Sequence, residues 1–151
     1  MTIMAQDIYN LKRFLDAQNE YNQYNTAVKE LLDGRKSSHW IWFIFPQVKG
    51  LGFSYNANFY GIGSIEEARA YLEHPELGTR LRRVTEILIQ WSHKGKSMRD
   101  LLGGIDAMKA KSCLTLFDLI SPNEFFATAL EDCYGGLRDD KTIEICNSWG
   151  E

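Results

Sequence analysis

Apolar residues recur at helical spacing along most of this chain. Near the amino terminus they follow Asp7, a possible helix cap, and continue to Gly34 as one bent helix or two. A run from Leu77 to Trp91 places apolar residues in steps of four, three, four and three, which predicts a strongly amphipathic helix. No stretch alternates between apolar and polar for more than a few residues. The pattern therefore predicts an all-α fold.

Polar residues at helix ends predict where the other helices begin and end. Ser64 and Glu67 have the spacing of a capping box, and the helix that they open extends to about His74, before Pro75 restarts the chain. Glycines at 135 and 136 end a helix near the carboxyl terminus. Further helix starts are predicted at Ser97, Asp106, Ser121 and Asp140.

Two segments do not fit a simple helical pattern. The aromatic run Ile41–Phe45 could be a helix or a small strand pair, so an α+β fold is the alternative to the all-α prediction. Four glycines and two asparagines interrupt the segment 47–63, which predicts a long irregular loop. Such a loop is often functional.

Composition indicates one globular domain covering residues 1–151. The chain is 44% hydrophobic and 25% charged, which suits a domain that buries a core of its own. A formal net charge of -3 argues against general nucleic-acid binding but leaves room for a local basic site that holds a nucleotide.

The cysteines and the amino terminus bear on redox state and location. Cys113, Cys133 and Cys146 are odd in number and show no metal-binding spacing, so we expect reduced core thiols and neither a metal nor another cofactor. Met1–Asp7 lacks the basic and apolar regions of a signal peptide, and no apolar run approaches membrane-spanning length. We therefore expect a cytoplasmic protein that does not enter the membrane.

The segment Gly34–Gln47 combines cations, hydroxyls and a histidine with a dense aromatic run. An anionic ligand that contains a ring needs both halves, because the cations hold the charge and a tryptophan stacks on the ring. The alternative is structural: Ser37 or Ser38 would cap a helix that begins at His39, and the tryptophans would lie in the core. The two interpretations are compatible, because a helix start also binds anions.

A second cluster runs from Asp106 to Phe117. Asp106 and Lys109 are three residues apart on one helix face, so the acid could serve as a base or a hydroxyl anchor and the lysine as its charge partner or a phosphate contact. A helix cap with an exposed ion pair is the structural alternative. Neither a nucleophile elbow, nor a P-loop, nor a dinucleotide glycine fingerprint is present in the sequence.

These two clusters supply the candidate site residues. The candidate catalytic residues are His39 and Asp106. The candidate ligand-binding residues are Arg35, Lys36, Ser38, Trp40, Trp42, Gln47, Lys109 and Lys111.

Several motifs together resemble a known bacterial family. They include an Arg-Lys-Ser-x-His-Trp-x-Trp-Phe-x-Phe-Pro-Gln core at residues 35–47, together with Leu11–Gln18, Tyr60–Ile62, Glu67–Leu72, His74–Gly78 and Lys109–Phe117. The chain is identified by them as a member of the domain of unknown function 1810 family. Members are often labelled calpastatin, but calpastatins are disordered inhibitory repeats, whereas this chain is predicted to be a compact helical domain.

A more distant similarity is to the YbiA-like (NADAR) helical domains. It is based on the helical character, on Phe14 and Gln18 in the first helix, and on the pattern from Leu77 to Leu88. That similarity implies a link to ADP-ribose and to N-glycosidic chemistry. The catalytic residues of that group have no counterparts that can be assigned by position in this chain.

Three functional hypotheses follow. The first is a domain that binds a nucleotide-like ligand, such as ADP-ribose or an NAD-related molecule, and hydrolyses an N-glycosidic bond. The second is a protein that binds or sequesters a nucleotide without turnover. The third is a protein-interaction module that uses the Trp40–Phe45 aromatic run to bind a partner or a second copy of the chain as a homodimer.

Overall fold

The computed structural model describes residues 6–150. Met1–Ala5 and Glu151 lie outside this part, so most of the segment on which the signal-peptide prediction rests is not described. The described part confirms the all-α fold. The helices are α1 (Lys12–Asn19), α2 (Gln23–Leu32), α3 (Ile41–Ile44), α4 (Tyr55–Phe59), α5 (Ile65–Glu73), α6 (Pro75–His93), α7 (Met98–Leu102), α8 (Gly104–Ile120), α9 (Phe126–Tyr134) and α10 (Asp140–Ser148).

The first predicted helical region is two helices separated by a tight turn. A 3-10 turn, Glu20–Asn22, joins α1 to α2. Tyr21 and Asn22 both have left-handed backbone conformations there, with φ of 52° and 56°. A left-handed residue cannot continue a right-handed helix, which explains why the apolar pattern runs through while the helix does not.

Two of the predicted helix starts have the expected side-chain caps. Ser64 Oγ accepts a hydrogen bond of 3.0 Å from the Glu67 amide at the start of α5, and Ser97 Oγ accepts one of 3.0 Å from Asp100 at the start of α7. His74 Nδ1 caps α6 by accepting from the amides of the two residues after Pro75. These caps satisfy amides that have no partner within a helix.

Two other predicted helix starts are wrong. Asp106 does not cap α8, because that helix already begins at Gly104. Ser121 does not open α9, which begins at Phe126. The Ser121 hydroxyl instead donates a hydrogen bond of 2.8 Å to the carboxylate of Glu124. That interaction holds the chain in a turn before the helix starts.

The aromatic run forms one helical turn, so the alternative of a strand pair at Ile41–Phe45 is wrong. The Ile44 amide donates to the Trp40 carbonyl over 3.1 Å, and the Phe45 amide donates to Ile41 over 3.0 Å. A helix start at His39 is also wrong, because Trp40 is the N-cap residue of α3 and no side chain caps it. The β-type pairing in the described residues is one isolated parallel bridge between Val48 and Ile62.

Helix α8 lies at the centre of the fold. It packs against α5, α7, α9 and α10, while α6 packs against α2, α5 and α9. Its buried residues cover most of its circumference, as expected for a central helix: Ala107, Ala110, Ser112, Cys113, Leu114, Thr115, Leu116, Phe117 and Asp118. The buried apolar residues of the described part form one continuous core.

The three cysteines are unpaired within the described residues. Cys113 and Cys146 are buried and Cys133 is half-buried. Burial raises the pKa of the Cys133 and Cys146 thiols to about 11, and it also raises the pKa of Cys113. The neutral thiol therefore prevails at neutral pH in all three.

Within residues 6–150, no helix has the length and apolar character that crossing a membrane requires.

Candidate functional site

The segment after α2 folds around the carboxylate of Glu30. Glu30 Oε1 accepts hydrogen bonds from the amides of Ser37 and Ser38, at 2.8 Å and 3.0 Å, and from Trp40 Nε1, at 2.9 Å. Its Oε2 accepts from Ser38 Oγ at 2.5 Å. Burial alone would raise the pKa of Glu30, but these four donors outweigh it and lower that pKa to about 2. The donors that were predicted to meet a ligand or to cap a helix thus bind a carboxylate of the chain itself.

Lys36 is held by contacts on several sides. Its Nζ lies 2.7 Å from Asp106 Oδ2, donates to the Ser38 carbonyl and sits 4.7 Å from the centroid of the Trp40 ring. The Lys36 side chain is only 6% exposed. The ion pair joins the two sequence clusters at one point, with Lys36 rather than Lys109 as the partner of Asp106.

A hollow of about 430 Å³ opens beside this ion pair. We call it the lysine–aspartate hollow; it is lined by Lys36, His39, Ile41, Trp42, Leu102, Gly103, Gly104, Ile105, Asp106 and Lys109. The predicted catalytic residues His39 and Asp106 therefore line the same hollow as two predicted ligand-binding lysines. His39 is exposed, whereas Asp106 is largely covered, with 21% of its side chain exposed.

A larger cavity of about 490 Å³ lies next to the hollow. We call it the aromatic cavity, because Trp42, Phe53 and Tyr60 line it. Its remaining walls come from the loop after α3, from α4, from α8 and from the residue before α10: Gln47, Val48, Leu51, Gly52, Ser54, Asn56, Ala57, Gly61, Ile105, Met108, Lys109, Ser112 and Asp139. This mixture of apolar walls and a few polar groups is typical of small-molecule sites.

Trp42 and Lys109 stand where the two spaces meet. Together with Ile105 they line both the aromatic cavity and the hollow. Lys109 Nζ lies 5.1 Å from the centroid of the Trp42 ring, within the range of a cation–π contact. In the described part of the chain Lys109 has no ion pair. A cation and an accessible aromatic face are thus fixed together at the junction.

The glycine-rich loop, residues 47–63, forms one wall of the aromatic cavity. It contains a helix that the sequence analysis missed, α4, whose N-cap Ser54 accepts from the Ala57 amide at 3.1 Å. Arg13 anchors the end of the loop: its Nε donates to the Phe59 carbonyl over 2.8 Å. The same guanidinium forms an ion pair of 2.5 Å with Glu67, and both side chains are buried. The wall is therefore tied to α1 and α5.

The structure brings together six of the ten predicted site residues. Lys36, His39, Trp42, Asp106 and Lys109 line the hollow, and Gln47 lines the aromatic cavity with Trp42 and Lys109. The other four line neither space. Of these, Arg35 is exposed, Ser38 binds Glu30, Trp40 is fully buried in the core, and Lys111 is half-buried farther along α8.

Several residues that line the aromatic cavity or organise its surroundings were not predicted. Tyr60 and Asn56 lie in the glycine-rich loop, whose composition marked the segment but not the individual side chains. Glu30, which organises the adjacent segment, had only its position near the end of a helix as a signal. Asp139 has the sequence signal of an ordinary helix cap, and it does cap α10, because its Oδ2 accepts a hydrogen bond from the Thr142 amide. Among the described residues, no cluster of three or more His, Cys, Asp or Glu side chains could hold a metal ion.

Comparisons with known proteins agree with the observed fold. A chain 42% identical in sequence covers 93% of this chain and is itself covered to 99%, with a TM-score of 0.87; it is the crystal structure, at 1.38 Å, of the conserved hypothetical protein Rv1873 from Mycobacterium tuberculosis. A search of the curated proteins found no match. The family model described as "Protein of unknown function (DUF1810)" matches residues 8–146. The chain therefore belongs to the DUF1810 family.

Proposed function

We propose that the chain binds a nucleotide-like small molecule in the aromatic cavity. In this proposal the ring of the ligand stacks on Trp42 and its anionic group contacts Lys109. The observation that carries the proposal is the pairing of these two side chains, 5.1 Å apart, in the wall of a cavity of about 490 Å³. That volume is in the range of ordinary ligand sites, which runs from roughly 300 to 1,000 Å³.

The polar groups of the cavity support a ligand of this class. Gln47 and Asn56 line it, and neither side-chain amide has a hydrogen-bond partner among residues 6–150. An amide both donates and accepts, as the edge of a nucleobase does. Because Lys109 is not neutralised by a carboxylate of the described part, its charge is available to a phosphate.

The lysine–aspartate hollow supports a ligand with two parts. A molecule such as ADP-ribose or an NAD-related compound could extend from the aromatic cavity past Lys109 into the hollow. There it would meet Asp106 and His39, which line the hollow together. The similarity to YbiA-like (NADAR) domains remains a prediction from the sequence, and it points to the same ligand class.

Hydrolysis of an N-glycosidic bond is the further step of this proposal. Asp106 or His39 would position a water molecule and take its proton. The water oxygen would bond to the anomeric carbon, and the carbon–nitrogen bond would break with its electron pair left on nitrogen. Nicotinamide would leave NAD as a neutral molecule, and the proton taken from water would pass from the base to solvent. Incubating the protein with NAD and following free nicotinamide by chromatography distinguishes this enzyme from a binder that releases its ligand unchanged.

The burial of the aromatic run favours a small-molecule site over a protein-docking surface. Trp40, Phe43 and Phe45 are buried, so within the run Trp42 is the aromatic residue that a ligand can reach. A cytoplasmic location and a homodimer remain predictions from the sequence.

Calorimetry with AMP, ADP-ribose and NAD tests the binding proposal. We expect saturable binding of at least one of the three. Lys109→Met should weaken that binding about tenfold or more, because a charge-assisted hydrogen bond is lost. Lys111→Met is the matched control: it removes the same charge from the same helix at a residue that lines neither space, and we expect it to change the affinity less than twofold.

Either of two outcomes would overturn the binding proposal. One is the absence of saturable binding for all three ligands. The other is an equal loss of affinity in the two lysine variants, which would show that Lys109 acts only through the net charge of the protein.

A further inference from the structure

Asp139 is the one carboxylate among the described residues that line the aromatic cavity. It immediately precedes α10 and was not among the predicted site residues. Its main-chain amide donates a hydrogen bond of 3.1 Å to Thr115 Oγ1, which fixes this residue against α8. The position of the carboxylate is thus set by the fold.

One oxygen of this carboxylate is occupied and the other is free. Oδ2 accepts hydrogen bonds from the Thr142 amide at 3.0 Å and from the Thr142 hydroxyl at 2.5 Å. Oδ1 has no hydrogen-bond partner within residues 6–150. The two bonds from Thr142 restrain the carboxylate, so the remaining oxygen is a preorganised acceptor on a residue that lines a mostly apolar cavity.

Asp139 and Lys109 both line the aromatic cavity, Asp139 from the start of α10 and Lys109 from α8. Thr115, which holds Asp139, is six residues after Lys109 on α8, a rise of about 9 Å along the helix axis. The two charges form no ion pair with each other in the described part of the structure. The cavity therefore presents a cation and a separate acceptor that do not neutralise each other.

We infer that Asp139 accepts hydrogen bonds from the vicinal hydroxyls of a ribose, so that the site selects ribonucleotides with an intact cis-diol. This inference rests on the proposed function. A carboxylate only accepts, and a cis-diol offers two donors side by side. Acidic residues use the same interaction to hold ribose in dinucleotide-binding sites.

The inference is tested by calorimetry with AMP and with 2′,3′-dideoxyadenosine 5′-monophosphate. We expect the intact protein to bind AMP between about tenfold and a hundredfold more tightly than the dideoxy analogue, because hydrogen bonds to a charged acceptor are lost. Asp139→Asn should weaken the binding of AMP by a similar factor and leave the affinity for the dideoxy analogue nearly unchanged. The preference for AMP would then disappear.

Two controls separate recognition from folding. Asparagine caps helices about as well as aspartate, so Asp139→Asn keeps α10, which a thermal melt verifies. Asp140→Asn removes the same charge from the exposed neighbouring residue, and we expect it to preserve the preference for AMP.

The results that would overturn this inference differ from those that would overturn the proposed function. The inference about Asp139 is contradicted by any of three results: equal affinity of the intact protein for the two nucleotides, no binding of AMP, or an equal change in both affinities on Asp139→Asn. Binding of ADP-ribose or NAD that is sensitive to Lys109→Met would still support the proposed function in each of those cases.

Discussion

Four hydrogen bonds converge on the carboxylate of Glu30, and they determine the conformation of the segment beside the candidate site. Two come from consecutive backbone amides, one from the Ser38 hydroxyl and one from the Trp40 indole. By fixing Trp40 in the core, they also fix where α3 begins, and with it the direction of Trp42. Glu30 is thus a positioning residue for a cavity that it does not line.

Replacing Glu30 with glutamine should destabilise the protein and alter how its stability depends on pH. At neutral pH we expect a loss of about 1–3 kcal/mol, since one amide oxygen cannot serve all four donors. The pKa of Glu30 is lowered from 4.5 to about 2, so the ionised group contributes stability above about pH 4.5 and loses it as the pH falls toward 2. The difference between the two proteins should therefore shrink over that range.

Urea unfolding at a series of pH values from about 6 to 2.5 measures this effect. Glu86→Gln, at an exposed position of α6, is the control and should show little difference from the unmodified protein at any pH. A difference for Glu30→Gln that stays constant as the pH falls would show that the four donors do not hold Glu30 in its ionised form.

Which side chains of the site are buried and which are exposed was the feature hardest to predict from the sequence. Trp40 and Trp42 are two residues apart in the same run, and the sequence left open whether each was core or pocket. The single turn of α3 places them differently: Trp40 is fully buried and Trp42 lines both spaces. The hydrogen-bond donors of Ser37, Ser38 and Trp40 bind the Glu30 carboxylate rather than a ligand. No pattern in the sequence indicates that Glu30 is their partner.

At the scale of elements, the junction between α5 and α6 depends on a close contact at Gly78. A Cβ atom on this residue would lie 2.0 Å from the Leu72 carbonyl oxygen. Gly78→Ala should therefore lower the free energy of unfolding by about 3 kcal/mol, because a backbone atom cannot move aside without shifting the helix. Chemical denaturation measures this loss.

Gly104 provides the matched control for that substitution. It is also a helical glycine, but a Cβ atom there would meet nothing within 4 Å. Gly104→Ala should leave stability within about 1 kcal/mol of the original value, or raise it slightly. Equal effects of the two alanines would contradict the close approach of α5 and α6.

Helix periodicity and capping residues were enough to predict most elements. The long helix α6 follows apolar spacing that persists over several turns, and Ser64 and Ser97 cap as predicted. The short elements α3 and α4 were not assigned, because a single turn does not show a helical period. Their conformation depends on tertiary contacts such as those of Arg13 with the end of the glycine-rich loop.

At the scale of the whole molecule, the candidate site lies at the side of one continuous core. The central helix α8 contributes Lys109 and Ser112 to the aromatic cavity and Asp106 to the hollow, while the loop after α3 supplies the facing wall. The formal net charge of -3 does not attract anions generally. A phosphate-bearing ligand would therefore bind because of local cations and not because of the overall field of the protein.

The tryptophan indole signals in a ¹H–¹⁵N NMR spectrum test the central claim most directly. The sequence contains four tryptophans. The indole of Trp40 donates a hydrogen bond to the Glu30 carboxylate, and that of Trp91 donates one of 2.7 Å to the Leu31 carbonyl. A Trp42→Phe variant assigns the Trp42 signal. If AMP, ADP-ribose or NAD binds in the aromatic cavity, the Trp42 signal should shift saturably and much more than the other three. The account would be contradicted if the Trp42 signal stayed in place with all three ligands, or if Trp91 or Trp149 moved most.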